Sequence, residues 1–506
     1  MSLIQSIDYA AIAPPLITAL TGLAVLVLDL FVPAERKRAL AWLAAAGLLG
    51  ALGSLLPLRG SPRGTFCLPG ADAVRQCSYV VNDLTLVFQL LALAGALVAV
   101  LMSANTVAEQ RLPAGEFWFL LLSSAAGAAA IAAARDLMTL VVALEVVSLP
   151  AFALVAMRRY EGRGSEAAVK FFLVSVVSTA VMLYGISLVY GLTGSVQLSR
   201  VSAVLADTKI AAGESRVVAV GVVLALVGLA FKVAAVPFHG WLPDTYAGAP
   251  VPVAAYLSVV SKAAGFVGFI LVVSIGFAPY SDIWGPVVAV LAALTMTVGN
   301  LVALRQRHAV RLLAWSTIAH SGYVLVPLGV AVAAEPGGTG SSIGEALSAS
   351  VAYLLVYAVM NLGAFAVVVV VGRQRPANRL VDYRGLVRTE PVTALVLAFF
   401  LACLAGLPPG LVGLFAKVVV FKAAVSGGLG WLAVVMAVNT VIALYYYAVW
   451  AGLLFAAPDP AAPPPSYKIP PELGLAVGTT LGVAVVLSLL PQIVLNVLVN
   501  LPGLIG

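Results

Sequence analysis

The sequence predicts an all-α polytopic membrane protein with about fourteen transmembrane helices and two inverted five-helix repeats. Of its 506 residues, 62% are hydrophobic and only 10% are charged, a composition typical of a protein whose solvent is lipid. Apolar segments of about 20 residues, the length that spans roughly 30 Å of hydrocarbon, recur along the whole chain. Two of these segments combine a lysine with a proline break, and they lie five segments apart. Because five is odd, equivalent helices run in opposite directions, which is the signature of inverted repeats.

The predicted segments follow one another through short connections, without an inserted soluble domain. We divide the chain into a three-helix part (1–110), a first repeat with helices 4–8 (111–280), an inverted second repeat with helices 9–13 (281–456), and helix 14 (457–506). Helices 7 and 12 are predicted to be discontinuous because each contains proline. The fourteen segments lie at approximately 14–34, 38–58, 80–103, 115–133, 136–157, 166–191, 217–246, 251–278, 285–304, 310–332, 343–372, 392–425, 430–455 and 472–498.

Loop charges predict the orientation of the chain in the membrane. With the N-terminus outside, sixteen of the 28 Lys and Arg residues fall in inner loops, seven in outer loops and five, all lysines, within the membrane. Basic residues concentrate in cytoplasmic loops, so both termini are predicted to be extracytoplasmic. The first residues contain no basic region or cleavage site of the secretory kind. The first segment is therefore expected to remain.

Cofactor motifs are missing from the sequence. Its three cysteines form no CxxC or Cys/His cluster, and there is no Walker-type loop or GxGxxG fingerprint. We therefore expect no redox cofactor, metal or nucleotide in this chain, and its net charge of +7 indicates membrane orientation rather than nucleic-acid binding. Cys67 and Cys77 fall in a predicted outer connection, where either a disulfide or two free thiols is compatible with the sequence.

The stretch from Phe231 to Gly265 concentrates features that are costly in hydrocarbon. Lys232 lies deep in an apolar segment, five residues before Pro237, and Lys262 lies in the centre of the next segment. A buried charge and a broken helix both indicate function in a membrane protein. His239 follows the break, and it is either a member of a proton relay or a packed polar group.

Four further ionisable residues lie within predicted helices. Glu145, near the centre of the fifth segment, is expected to stay charged by pairing with a buried ammonium; the alternative is a purely structural ion pair. Lys417 follows the proline break of the twelfth segment and is the main candidate in the second half. His320 lies at mid-depth of the tenth segment and either connects the two lysine sites or is satisfied by a neighbouring serine. Lys170 lies near the inner end of the sixth segment, where its ammonium can also reach the cytoplasmic surface.

At these residues the sequence resembles the antiporter-like proton-translocating membrane subunits of respiratory complex I. The resemblance covers nearly the whole chain. It implies that Glu145 pairs with Lys232, that Lys262 is the central relay residue and that Lys417 is the exit-side lysine, with Lys170, His320 and His239 as auxiliary members. The runs that carry it are Asp136–Glu145, Glu166–Lys170, Phe231–Pro250, Ser261–Gly265, Arg311–Tyr323, Met360–Phe365 and Asp382–Gly385.

The resemblance also implies how such a chain would be driven. NADH, FMN, iron–sulfur clusters and quinone would be bound by partner subunits. The partners would be other membrane subunits of complex I, including a neighbouring antiporter-like subunit and small membrane subunits on the quinone side. The alternatives are a subunit of a multi-subunit cation/proton antiporter, a stand-alone secondary transporter and a scaffold with inert charges.

Overall fold

Transmembrane-length helices dominate the computed structural model, which describes residues 7–67, 77–158, 161–207, 212–330, 341–458 and 468–494. Within this part of the chain, twelve helices are long and apolar enough to cross a membrane. The uninterrupted ones are α1 (Tyr9–Asp29), α2 (Arg38–Gly53), α3 (Asp83–Glu109), α4 (Ala114–Ile131), α5 (Leu137–Val155), α6 (Gly162–Thr193), α12 (Ser281–Ala303), α13 (Ala309–Val330), α14 (Ser341–Gly372), α18 (Gly430–Phe455) and α19 (Pro471–Leu489).

The remaining one of the twelve long helices lies between α6 and α12 in the chain and combines α10 (Val251–Tyr256) and α11 (Lys262–Leu271). Two π-helical turns, Leu257–Ser261 and Val272–Gly276, extend it. The first π turn immediately precedes Lys262, and such turns are frequent at functional sites. Two short helices, α7 (Leu198–Leu205) and α15 (Leu386–Thr389), are additions that the sequence did not predict.

The remaining two predicted segments are discontinuous, as expected. Segment 7 consists of α8 (Ala212–Lys232) and α9 (Trp241–Gly248), and segment 12 consists of α16 (Pro391–Ala405) and α17 (Leu411–Ser426). Each break contains proline, which interrupts a helix because it has no N–H to donate and its ring clashes with the preceding turn. Every predicted segment therefore has a helical counterpart.

Matching helix contacts relate the two halves of the molecule. In the first half, α4 packs against α5, and α6 packs against both pieces of the broken helix, α8 and α9. In the second half, α12 packs against α13, and α14 packs against both α16 and α17. The same order of contacts thus occurs twice, five segments apart. The exact division of the chain at residues 110, 280 and 456 stays a prediction.

A small β-hairpin between α2 and α3 adds the only strands in the described part of the chain. Strand β1 (Arg63–Cys67) pairs with antiparallel β2 (Cys77–Val81), and a disulfide joins the two cysteines. The neighbouring Arg135 is buried, which lowers its pKa to about 10, and donates to the Ala134 carbonyl at 2.8 Å. It also donates to the Thr85 hydroxyl at 3.3 Å. These contacts fix the connection between α4 and α5.

Helices α12 and α13 approach each other closely through glycine. A Cβ atom on Gly299 would lie 2.6 Å from the backbone nitrogen of Ala319, and one on Gly322 would lie 2.7 Å from that of Met296. Small residues allow such backbone contact between membrane helices. Since His320 follows Ala319, this contact positions the central histidine of the site.

Candidate functional site

The first part of the site is an ion pair between α5 and the end of α8. The Lys232 ammonium lies 3.7 Å from the Glu145 carboxylate, and their side chains are 8% and 27% exposed. The same ammonium donates to the Ser148 hydroxyl at 2.5 Å and to that of Ser175 at 3.2 Å. Thr179 donates to the carboxylate at 2.8 Å. The predicted pairing of Glu145 with Lys232 is present.

Residues of both repeats contact the break in the helix after Lys232. Helix α8 ends at this lysine, and the backbone N–H of Val236 within the break donates to the Thr295 hydroxyl of α12 at 3.0 Å. The carbonyls of Leu229, Ala230 and Phe231 at this helix end accept backbone N–H groups of residues 233–235, and the negative end of the helix dipole favours a cation there. Gly265 of α11 lies against this end: a Cβ atom at that position would be 3.1 Å from that of Lys232. The break thus brings α11 close to the first lysine.

Lys262 lies at the start of α11 and is 3% exposed. Its ammonium donates to the Thr317 carbonyl at 3.0 Å and to the Ser321 hydroxyl at 2.6 Å, both on α13. Within the described ranges, no carboxylate lies within salt-bridge distance of this ammonium. A buried ammonium held only by neutral oxygens releases its proton more readily than a paired one.

His320 occupies the space between the second and third lysines. It is 2% exposed, and its ring nitrogens lie 2.8 Å from the Tyr353 hydroxyl and 3.3 Å from that of Tyr447. It adjoins Ser321, which accepts from Lys262, and its ring lies 5.9 Å from that of Tyr323, which faces Lys417. His320 therefore lies between the two lysines, with tyrosines rather than a neighbouring serine as its hydrogen-bond partners, and its role as their connection stays a prediction.

Lys417 closes the row in the second repeat. It lies on α17, is 5% exposed, and its ammonium lies 5.6 Å from the centre of the Tyr323 ring. The ammonium donates to the carbonyls of Leu404 and Ala405 at 3.1 and 2.7 Å. These are the last two residues of α16, so the side chain reaches back across the break. Both proline breaks therefore adjoin a lysine, from opposite sides.

Two predicted auxiliary residues lie outside this buried row. Lys170 is half-exposed and pairs with Glu166 at 2.7 Å and with Asp244 at 3.1 Å, and Asp244 also pairs with Arg311 at 3.3 Å. His239 is partly buried, and its ring lies 5.5 Å from that of Trp315. It is not on one helical face with Lys232, because α8 ends before it. The interpretation of His239 as a packed polar group fits this position.

The hydroxyl groups of the site were not predicted. They comprise serines and threonines around the first pair and a tyrosine cluster around His320. A sequence signal for the cluster exists in hindsight, since Tyr353 and Tyr357 are spaced four residues apart in a largely apolar helix and therefore share a face. The cluster members are Tyr323, Tyr353, Tyr357 and Tyr447.

The family of this chain follows from comparison with known proteins. The family model described as "NADH:quinone oxidoreductase/Mrp antiporter, TM" matches residues 134–443, more than half of the chain and nearly all of both repeats. The chain belongs to this family. The matched range contains every residue of the buried row.

Relatives of this family member indicate the branch. The chain is 56% identical over 513 residues to NADH-quinone oxidoreductase subunit N 2 of Streptomyces griseus subsp. griseus, covering 98% of this chain and 94% of the relative. It is 46% identical over 475 residues to NADH-quinone oxidoreductase subunit N of Salinispora tropica, covering 92% and 88%. The predicted resemblance to complex I subunits is thereby confirmed, and it favours this class over the alternatives.

Solved structures agree with the fold of this family member. A chain of respiratory complex I from Thermus thermophilus with bound aureothin matches at 34% identity with a TM-score of 0.75, covering 96% of this chain and 98% of that chain. A chain of the Mrp complex from Dietzia sp. DQ12-45-1b matches with a TM-score of 0.82 and coverage of 97% on both sides. At 22% identity the latter shows the fold alone.

Proposed function

We propose that this chain is a proton-translocating membrane subunit of an NADH:quinone oxidoreductase. Protons move through the row Glu145, Lys232, Lys262, His320 and Lys417. The observation that supports this most strongly is a pair of buried lysines, Lys262 and Lys417, that lack carboxylate partners among the described residues and have a histidine between them. Buried ionisable groups of this kind mark proton relays in membranes.

The chemistry of the row rests on one switchable ion pair. While Glu145 faces Lys232, the pair stabilises the ammonium and retains its proton. Opening the pair leaves a buried ammonium among hydroxyls, which favours proton release toward Lys262. A proton on one lysine raises the electrostatic cost of a positive charge on the neighbouring lysine, so protons move along the row one at a time. His320 accepts on one ring nitrogen and releases from the other.

Energy for this movement comes from partner subunits. NADH, FMN, iron–sulfur clusters and quinone are bound there, and this chain contributes ionisable side chains only. Moving one charge through 100 mV requires about 2.3 kcal/mol. This is comparable to the interaction of one close ion pair at moderate depth, so coupling through the Glu145–Lys232 pair is energetically sufficient.

The exposed part of Glu145 supports a lateral partner. Its side chain is 27% exposed on a face of α5 where Met138, Val142 and Leu149 are also exposed. A carboxylate at this depth is costly against lipid tails. Another membrane subunit of the complex therefore covers this face, either the neighbouring antiporter-like subunit or the small membrane subunits on the quinone side. We place the assembly in the bacterial inner membrane with both termini of this chain extracytoplasmic.

Proton pumping by the assembled complex in liposomes tests the function. Lys262→Ala and Lys417→Ala are expected to abolish translocation while NADH oxidation persists at a reduced rate. Lys422→Ala is the matched control, because this lysine lies on the same helix as Lys417 but is exposed. Full pumping by a complex that carries both Lys232→Ala and Glu145→Ala would refute the proposal and leave the scaffold interpretation standing.

A further inference from the structure

A crevice of about 580 Å³ opens between the two repeats on the side predicted to face the cytoplasm. Its lining includes Lys170, Asp244 and Arg311, whose ion pairs make it strongly polar. The crevice is therefore accessible to water and protons. The row of buried lysines begins further into the membrane, so the question is which groups connect the two.

Tyr246, two residues after Asp244, lines this crevice but is only 1% exposed. Its ring lies 6.3 Å from that of Phe365, and its buried hydroxyl has no hydrogen-bond partner among the described residues. A buried hydroxyl without a partner costs about 1–3 kcal/mol, so buried polar groups normally bond to protein or to water. Beside a polar crevice, water is the available partner.

Tyr357 supplies the next hydroxyl toward the midplane. Tyr246 packs against Phe365 of α14, and the same helix carries Tyr357. The Tyr357 hydroxyl donates to the Thr317 hydroxyl at 2.9 Å, while the Thr317 carbonyl accepts the Lys262 ammonium at 3.0 Å. Thr317 therefore contacts the tyrosine through its hydroxyl and the central lysine through its carbonyl.

The heights of these groups agree with this order of contacts. Tyr246 lies at the end of α9, on the same side of the membrane as the starts of α10 and α13. At about 1.5 Å per helical residue, Thr317 lies about 12 Å along α13 and Lys262 about 16 Å from Val251. The receiving threonine and the central lysine thus lie at a similar depth, further into the membrane than Tyr246 at the crevice.

We propose that Tyr246 and Tyr357 form a hydroxyl path that reprotonates Lys262 from the crevice in each cycle, a step that is needed in addition to the opening of the Glu145–Lys232 pair. The inference rests on the proposed function. Each hydroxyl accepts a proton on an oxygen lone pair and releases its own proton to the next group. Water bridges the crevice, the two tyrosines, and the gap between the Thr317 hydroxyl and the Lys262 amine, while the Thr317 carbonyl holds the lysine and carries no proton. Both tyrosines are neutral before and after, and the net change is one proton gained by neutral Lys262.

Removing one hydroxyl at a time tests the path in the assembled complex, reconstituted in liposomes and supplied with NADH and quinone. Tyr246→Phe and Tyr357→Phe keep the rings and remove only the oxygens. We expect either change to reduce the rate of proton uptake between about tenfold and about 10²-fold. The loss is smaller than that of a typical positioned proton-transferring group, because water takes over part of the transfer. Tyr256→Phe is the control, since this buried hydroxyl donates to Ser124 at 2.8 Å, away from the path.

Two features separate a proton path from a packing role. Because the tyrosines act in series, the double variant should be no slower than the slower single variant, whereas independent packing losses would multiply. Thr317→Val should give the same loss, since it removes the receiving hydroxyl but keeps the carbonyl that binds Lys262. This third variant also decides the matter if a tyrosine variant fails to assemble.

Wild-type pumping by assembled Tyr246→Phe, Tyr357→Phe and Thr317→Val complexes would overturn the path. A loss equal to that of Tyr256→Phe would also overturn it, because any buried hydroxyl would then suffice. Lys262→Ala in the same series separates the two hypotheses. If it abolishes pumping while the tyrosine variants do not, only the path fails; if it pumps fully, the proposed function fails as well.

Discussion

Replacing Glu145 by glutamine removes the charge of the first ion pair with little change in shape. The amide oxygen of Gln still accepts from Thr179, which donates to the carboxylate at 2.8 Å. At the observed 3.7 Å from Lys232, two unit charges interact by about 4 kcal/mol at an effective dielectric constant near 20. Because the carboxylate is 27% exposed, solvent screening reduces this to about 2–4 kcal/mol. If the pair stabilises a step in proton transfer, the rate falls between about 30-fold and about 10³-fold.

The assay is proton uptake into liposomes that contain the assembled complex, normalised to NADH oxidation and to the amount of this chain. Glu116→Gln is the matched control, because it removes an exposed carboxylate at the start of α4. The control should pump at the wild-type rate. Glu145→Gln that pumps within twofold of wild type would show that the charge of this residue is not used, and the switch at Lys232 would be refuted.

Three further predictions test other parts of the structure. Gly299→Ala should lower the free energy of unfolding by about 1–3 kcal/mol, because the added methyl group overpacks the contact of α12 with α13. Gly478→Ala is the control, since a Cβ atom there meets nothing within 4 Å. Equal melting temperatures of the two variants would contradict the close approach of the helices. Replacing Cys67 and Cys77 by serine should cost the hairpin up to about 3 kcal/mol and speed its proteolysis without affecting pumping. Lys170→Gln should change pumping by no more than about fivefold, because exposed ion pairs contribute little; a complete loss of pumping would show that Lys170 belongs to the proton relay.

The architecture was predictable because lipid imposes strict rules on sequence. A spanning helix needs about 20 apolar residues, and lone charges or prolines within it stand out against that background. Glu145, Lys232, Lys262, His320 and Lys417 were found for this reason. The structure pairs Glu145 with Lys232 and buries Lys262, His320 and Lys417, while their joint role as a relay stays a prediction. Both discontinuous helices were predicted by the same reasoning.

The polar partners of these groups were not predictable in the same way. Serine and tyrosine are common in membrane helices. Neither the spacing nor the hydropathy of Ser148, Ser175 and Tyr447 shows which neighbour each will face. Their roles arise from helix pairing, such as the packing of α5 against α6 and of α13 against α18. The β-hairpin was missed for a similar reason, since its two short strands lie in a connection where no hydrophobic period indicates them.

The two lysines occupy different positions relative to the breaks of their helices. Lys232 is the last residue of α8, before its break, whereas Lys417 lies in the second turn of α17, after its break. Yet the Lys417 ammonium returns to the final carbonyls of α16. Only the second cation therefore pairs with the C-terminal carbonyls of its first half-helix, where the helix dipole stabilises positive charge, whereas the Lys232 ammonium is held by Glu145, Ser148 and Ser175. The repeats hold their cations differently, and the length of the lysine side chain lets Lys417 reach back across its break. A shorter cationic side chain at position 417 would leave those carbonyls unpaired, which is why the reach of lysine, rather than its charge alone, is required on this side of the break.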